Sequence, residues 1–122
     1  MKLNHIKISN NFHLDEFECP CCHRVKLHPD VLEKIQRLRD LTGGPLYVSS
    51  GYRCEKENKK VGGVKNSYHL YGRAVDVYSR TVKLERLLEL AKDVGFTGIG
   101  YYPHRGFLHL DIREKPYFFK KE

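Results

Sequence analysis

The sequence predicts an α+β fold in a single domain spanning residues 1–122. Three observations carry the prediction: two amphipathic stretches of helical period, four short strand-like segments, and an order in which the two kinds mix. At 122 residues the chain can bury a core of its own without disulfides to hold it together.

The first helix is expected over about residues 30–41. Pro29 stands near its start and Gly43-Gly44 just past its end, and Val31, Ile35 and Leu38 fall on one face with Leu32 and Leu41 beside them. Leu46-Tyr47-Val48-Ser49 reads as a strand running into a turn at Gly51. The polar stretch 55–60 fits a short helix, and Gly62-Gly63 opens a loop carrying Ser67, Tyr68 and His69. Ala74-Val75-Asp76-Val77-Tyr78 is a second strand. Over 82–94, Leu84, Leu87, Leu88, Ala91 and Val94 form an apolar stripe that stops at Gly95. Strands near 98–101 and 107–112 follow, parted by the turn residues Pro103-His104-Arg105-Gly106.

Composition narrows the function classes. No apolar run reaches the roughly 18 residues of a membrane span. Met1-Lys2-Leu3-Asn4-His5-Ile6-Lys7 has neither the apolar core nor the cleavage site of a secretory signal, so export is expected to depend on something else. The net charge of +7 favours anionic partners, but it is spread along the chain and fits a solvated basic surface as well.

His5, His13 and His28 lie near element ends in polar contexts and read as surface or capping residues. His69, Asp76 and His109 differ. An aspartate within Ala-Val-Asp-Val is costly to bury unless a cation meets it. His109 shares a strand face with Phe107 and Asp111. Two imidazoles and a carboxylate make a common catalytic zinc set with a fourth position open. Separations of seven and 33 residues are not diagnostic, however, and leave a metal site and a metal-free Asp–His hydrogen bond equally open.

Several motifs in order carry a resemblance. Ser50-Gly51-Tyr52-Arg53, Gly62-Gly63, Ser67-x-His69-x-x-Gly72-x-Ala74-x-Asp76 and His109-x-Asp111 together resemble the zinc D-alanyl-D-alanine carboxypeptidase family over about residues 46–113. That family includes bacterial DD-carboxypeptidases and phage endolysins and shares its fold with the hedgehog signalling domain. The resemblance implies a hedgehog/DD-peptidase-like domain with a small antiparallel sheet and flanking helices. It implies zinc bound by His69, Asp76 and His109, and Arg53 holding substrate near the scissile bond. The implied substrate is a peptidoglycan peptide, cut by carboxypeptidase or endopeptidase action. Many relatives carry a catalytic glutamate three residues before the last ligand, where this chain has Gly106. Another branch uses a histidine five residues before it, and His104 stands there as the implied acid/base. The family's habits imply a monomer, made in the cytoplasm and acting at the bacterial cell wall after release, or carried in a phage particle.

Some roles stay open at this level. Arg53 suits a substrate carboxylate or carbonyl but equally a structural ion pair. Asp111 fits orienting the His109 ring or pairing with Arg113. Tyr52, Tyr68 and Tyr71 read as groove or packing residues. Residues 1–29 form an N-terminal arm with a cysteine cluster. Cys19 and Cys22 make a C-x-x-C which, with Cys54 and His23, is compatible with a structural zinc, a disulfide or free thiols. Two other functions compete with a peptidase. One is an inactive, zinc-containing wall-binding module of the same fold, prompted by the missing glutamate. The other is a basic nucleic-acid-binding zinc protein, which leaves the 46–113 motifs unexplained, so no nucleic-acid partner is expected.

Overall fold

Pro29 and Gly43 bracket the first helix much as the sequence predicts. The computed structural model, which describes residues 3–121, places α1 at Pro29–Thr42; the outermost ends of the expected domain, residues 1, 2 and 122, lie outside that range. The His28 ring accepts from the Asp30 amide at the N-cap, Pro29 occupies the first turn, and Gly43 closes the helix in the left-handed conformation at φ 69. The remaining elements are β1 (Leu46–Ser50), α2 (Glu55–Lys60), β2 (Ala74–Ser79), α3 (Leu84–Asp93), β3 (Gly98–Tyr102), β4 (Phe107–Asp111) and β5 (Tyr117–Lys120). Two 3-10 turns, Leu14–Phe17 in the arm and Tyr68–Tyr71 in the long loop, were not expected.

The five strands form one sheet in the order β1-β2-β4-β3-β5. The pairs among β1 to β4 are antiparallel, as expected. β5 adds parallel to β3, so the sheet is mixed rather than purely antiparallel. Tyr117-Phe118-Phe119-Lys120 follows a proline and is mostly exposed, which hides an edge strand of four residues from pattern reading.

One face of the sheet carries α1 and α3. Ile35 and Leu38 of α1, Leu87 and Ala91 of α3, and Val75, Val77, Leu108 and Leu110 of the central strands are fully buried together. Each large side chain so buried contributes on the order of 1.5–3 kcal/mol. Alternation along β4 then fixes the opposite face: with Leu108 and Leu110 in the core, His109 and Asp111 point away from the helices. Phe12 and Phe17 join the core from the arm, so residues before Pro29 are part of the packed domain. Among the described residues no helix is long and apolar enough to cross a membrane.

Candidate metal centre and cleft

Strand register assembles the site. Asp76 on β2 is paired directly with His109 on β4, which is paired on its other side with Gly100 on β3. Ser50, beyond a bulge in β1, stands beside Asp76, and Phe119 of β5 lies opposite Gly100. These five residues form one row across the sheet. Gly100 is required there, since a Cβ would come within 2.3 Å of the Phe119 ring.

His69 reaches the row from the 3-10 turn. Ser67 caps that turn by accepting from the His69 amide at 3.2 Å, and Gly72 ends it at φ 69. The segment after β1 grips His69 from two sides. The Gly51 carbonyl accepts from His69 Nδ1 at 2.7 Å, and the Arg53 amide donates to the His69 carbonyl at 3.2 Å.

The chemistry of the donor set provides a test for a metal. A carbonyl only accepts, so His69 carries a proton on Nδ1, and when the ring is neutral its Nε2 lone pair faces Asp76 Oδ1, 3.1 Å away. His109 Nε2 lies 2.8 Å from Asp111 Oδ2, and a carboxylate also only accepts. With the His109 ring neutral, as ligation requires, its Nδ1 lone pair faces the same Asp76 Oδ1 at 3.2 Å. Three acceptors converge on one point, with ligand atoms within 4.8 Å of one another, and their mutual repulsion is relieved only by protons or by a cation. Two imidazole nitrogens and one carboxylate oxygen match zinc in number and kind, so the residues fit the ion.

Charge follows the same geometry. Burial alone would push the Asp76 carboxyl up, but hydrogen bonds from His109 and His69 outweigh it and hold the group well below the usual carboxylate range. Burial would lower His109, yet its bonds to Asp111 and Asp76 win and raise it above the ordinary imidazole value. Asp111 is opposed by burial and held low by Arg113 and His109. Asp111 does both things the sequence left open. It orients His109, and it accepts from Arg113 through Nε at 2.9 Å, NH2 at 2.6 Å and the backbone amide at 3.1 Å. Gly98 makes room for it, since a Cβ there would sit 1.8 Å from Asp111 Oδ1.

Arg53 lies over the second oxygen of Asp76. It donates from NH2 to Asp76 Oδ2 at 3.1 Å, from Nε to Ser50 Oγ at 3.0 Å and from NH1 to Asn58 Oδ1 at 3.3 Å. Those bonds engage three of its five N–H donors and leave two for a ligand. Asn58 is a site residue that sequence reading missed. It is the buried residue of the otherwise mostly exposed α2, where its amide also donates to the Val64 carbonyl. The signal was Gly63, whose hydrogen faces Asn58 Oδ1 where a Cβ would come within 2.1 Å.

The triad opens on a cleft of about 1290 Å³ bounded by the arm, the long loop and β5. Tyr68 lines it, stacked against the Arg113 guanidinium at 4.8 Å, whereas Tyr52 is buried and Tyr71 lies exposed outside it. His104 is not brought to the triad: it is exposed in the β3–β4 turn, where its neighbour Arg105 lines the cleft, as does Tyr102 at the end of β3. Gly106 takes φ 75 in the same turn, a backbone state that disfavours a glutamate. Burial, then the Asp76 charge, push the Tyr102 phenol up. Cys19, Cys22 and Cys54 do come together, away from the triad and with no disulfide between them.

Comparison with known proteins gives a consistent set. The profile of the family described as Peptidase M15 matches residues 10–111. The chain is 32% identical over 92 residues to the peptidoglycan L,D-endopeptidase MepK of Escherichia coli (strain K12), covering 70% of this chain and 50% of that protein. It is 33% identical over 94 residues to the probable peptidoglycan L,D-endopeptidase MepK of Haemophilus influenzae, with the same shares. It is also 36% identical over 81 residues to the zinc D-Ala-D-Ala carboxypeptidase of Streptomyces albus G, covering 63% of this chain and 32% of that protein. The chain thus spans about half the length of the MepK relatives it matches.

Proposed function

Because the chain belongs to the peptidase M15 family, we propose that it is a zinc-dependent peptidase hydrolysing amide bonds in peptidoglycan peptides. The observation that carries this reading is the convergence of His69 Nε2, His109 Nδ1 and Asp76 Oδ1 at the floor of an open cleft. These three atoms would hold the ion, which when bound supplies Lewis acidity toward a water and an amide carbonyl.

The chain's own residues do the rest. Gly51 and Asp111 fix the two rings in the tautomers that ligation needs. Arg53 holds Asp76 Oδ2, which keeps Oδ1 turned to the histidines, and its two remaining donors point a fork at a peptide carbonyl or carboxylate. Tyr68, Tyr102 and Phe107 provide apolar walls for the peptide. His104 is assigned the proton exchange that the resemblance implies, from the β3–β4 turn in which Arg105 beside it lines the cleft. The net charge of +7 suits an anionic wall, and action is assigned to the bacterial cell wall, by an endolysin after release or by a phage-particle component. The working unit is assigned as a monomer.

The test is digestion of defined peptidoglycan fragments by zinc-loaded protein, with products weighed by mass spectrometry. Wild type is expected to cut an amide bond, giving free D-alanine if it is a carboxypeptidase or an internal cut if it is an endopeptidase. His69→Ala and Asp76→Ala are expected to lose zinc and cleavage together. Wall binding with no product from zinc-loaded wild type would replace this reading with the inactive wall-binding module.

A further inference from the structure

A second cluster of metal-ligating side chains stands in the arm, and the peptidase reading makes no use of it. From Cys19 to Arg24 the chain folds back on itself. The Cys19 amide donates to the Arg24 carbonyl at 2.8 Å, and the His23 amide donates to the Cys19 carbonyl at 2.8 Å. His23 sits at φ 60, the left-handed position that completes so tight a turn. The turn brings Cys19 and Cys22 side by side and presents them to Cys54, thirty-odd residues away in sequence.

The sulfurs of Cys19, Cys22 and Cys54 lie within 4.8 Å of one another, and Cys19 and Cys54 are 3.6 Å apart. A regular tetrahedron with Zn–S bonds of about 2.3 Å has S–S edges of about 3.8 Å. The Cys54 amide also donates to Cys19 Sγ at 3.4 Å, a backbone bond that favours thiolate. Cys21 is exposed and stands outside this group of three. His23 has its Nδ1 bonded to Glu18 at 2.7 Å and stands outside the group. A disulfide would use two of the three sulfurs and require them at about 2.05 Å; one tetrahedral ion uses all three at the spacing found and has a fourth position to spare.

We propose that Cys19, Cys22 and Cys54 bind a second, structural zinc that fastens the N-terminal arm to the segment carrying Arg53. The surrounding contacts show what the fastening controls. Cys54 directly follows Arg53, and the Tyr52 amide donates to the Phe17 carbonyl at 2.8 Å. Gly51 lies flat on the arm, where a Cβ would come 2.7 Å from Phe17 Cα, and its own carbonyl holds His69. The arm, the cysteine knot, Arg53 and His69 are thus joined by one continuous set of contacts. The inference stands independently of the reaction catalysed in the cleft.

The test uses the full chain, purified under reducing conditions and loaded with zinc. Elemental analysis should give two zinc ions per wild-type chain, one for Cys22→Ser or Cys54→Ser, and one for His69→Ala. Cobalt in place of zinc should give an intense sulfur-to-cobalt charge-transfer band in the near ultraviolet, retained in His69→Ala and lost in Cys22→Ser. Hydrogen exchange over residues 12–24 and 51–54 should accelerate when the zinc is withdrawn. Native-state alkylation of the wild type needs no variant and covers the case in which a serine variant fails to fold. Protection of the thiols that disappears with a chelator supports the site. Free alkylation of Cys19, Cys22 and Cys54 in zinc-loaded protein, or an intact mass showing a disulfide among them, would overturn it.

Discussion

Asp111→Ala tests how the site is held. Asp111 is fully buried and accepts four hydrogen bonds, one from His109 and three from Arg113. Removing it frees the His109 ring to turn or to move its proton to Nδ1, the atom facing Asp76. Loss of such a supporting carboxylate typically costs 10- to 100-fold in metal affinity, or about 1.4–2.7 kcal/mol. Arg113 also loses its partner; its side chain is 21% exposed, so water recovers part of that loss. The stability cost is then expected below the roughly 3–5 kcal/mol of breaking a fully buried pair. A domain with about 5–15 kcal/mol of stability survives that, so the variant should fold. Zinc affinity is read by chelator competition, well below the melting temperature found by circular dichroism. A folded variant whose zinc affinity at the His69 site stays within about twofold of wild type would refute the claim that Asp111 fixes the ligand tautomer.

Zinc binding at the triad should release protons near neutral pH, because His109 is held above its ordinary pKa by Asp111 and Asp76 and must be neutral to ligate. Affinity should therefore rise with pH; calorimetry in buffers of different ionisation heat measures the release, and none at pH 6 would contradict it. For metal-free protein the signs are opposite for the two kinds of group. The raised His109 contributes stability below about pH 6.5 that is lost as pH climbs through its folded pKa, and the depressed Asp76 and Asp111 contribute stability above about pH 4 that is lost in acid. Melting temperature against pH should peak between those limits. Arg53→Lys should keep the charge but lose the fork, lowering kcat/KM by about 10- to 100-fold for one or more charged hydrogen bonds of about 1.5–3 kcal/mol, with zinc content near normal. His104→Ala should retain zinc and lose on the order of 10²-fold in kcat; an unchanged rate would move proton exchange to another group in the cleft, such as Tyr102.

Much of this was legible in the sequence, and the part that was not has a physical reason. α1 and α3 announce themselves because an apolar stripe, a proline start and a glycine stop agree within one local window. Asp76 and His109 were legible as candidates, but that they face each other is a matter of β2–β4 register, a non-local pairing no window contains. Asn58 escaped for another reason: its role depends on the loop conformation that folds a guanidinium from five residues back and a glycine from five residues on against it. β5 escaped because a four-residue edge strand after a proline has too little burial to leave a pattern. The placement of His104 escaped for a different reason: five residues before a strand ligand lies beyond the strand, where the turn decides the direction.

Anomalous diffraction at the zinc edge from crystals of zinc-loaded protein bears most directly on the metal centre. The expected result is a peak within about 2.0–2.2 Å of His69 Nε2, Asp76 Oδ1 and His109 Nδ1, with its fourth side open to the cleft. Saturating zinc with no peak at that point, and Asp76 still hydrogen-bonded to both imidazoles, would contradict it.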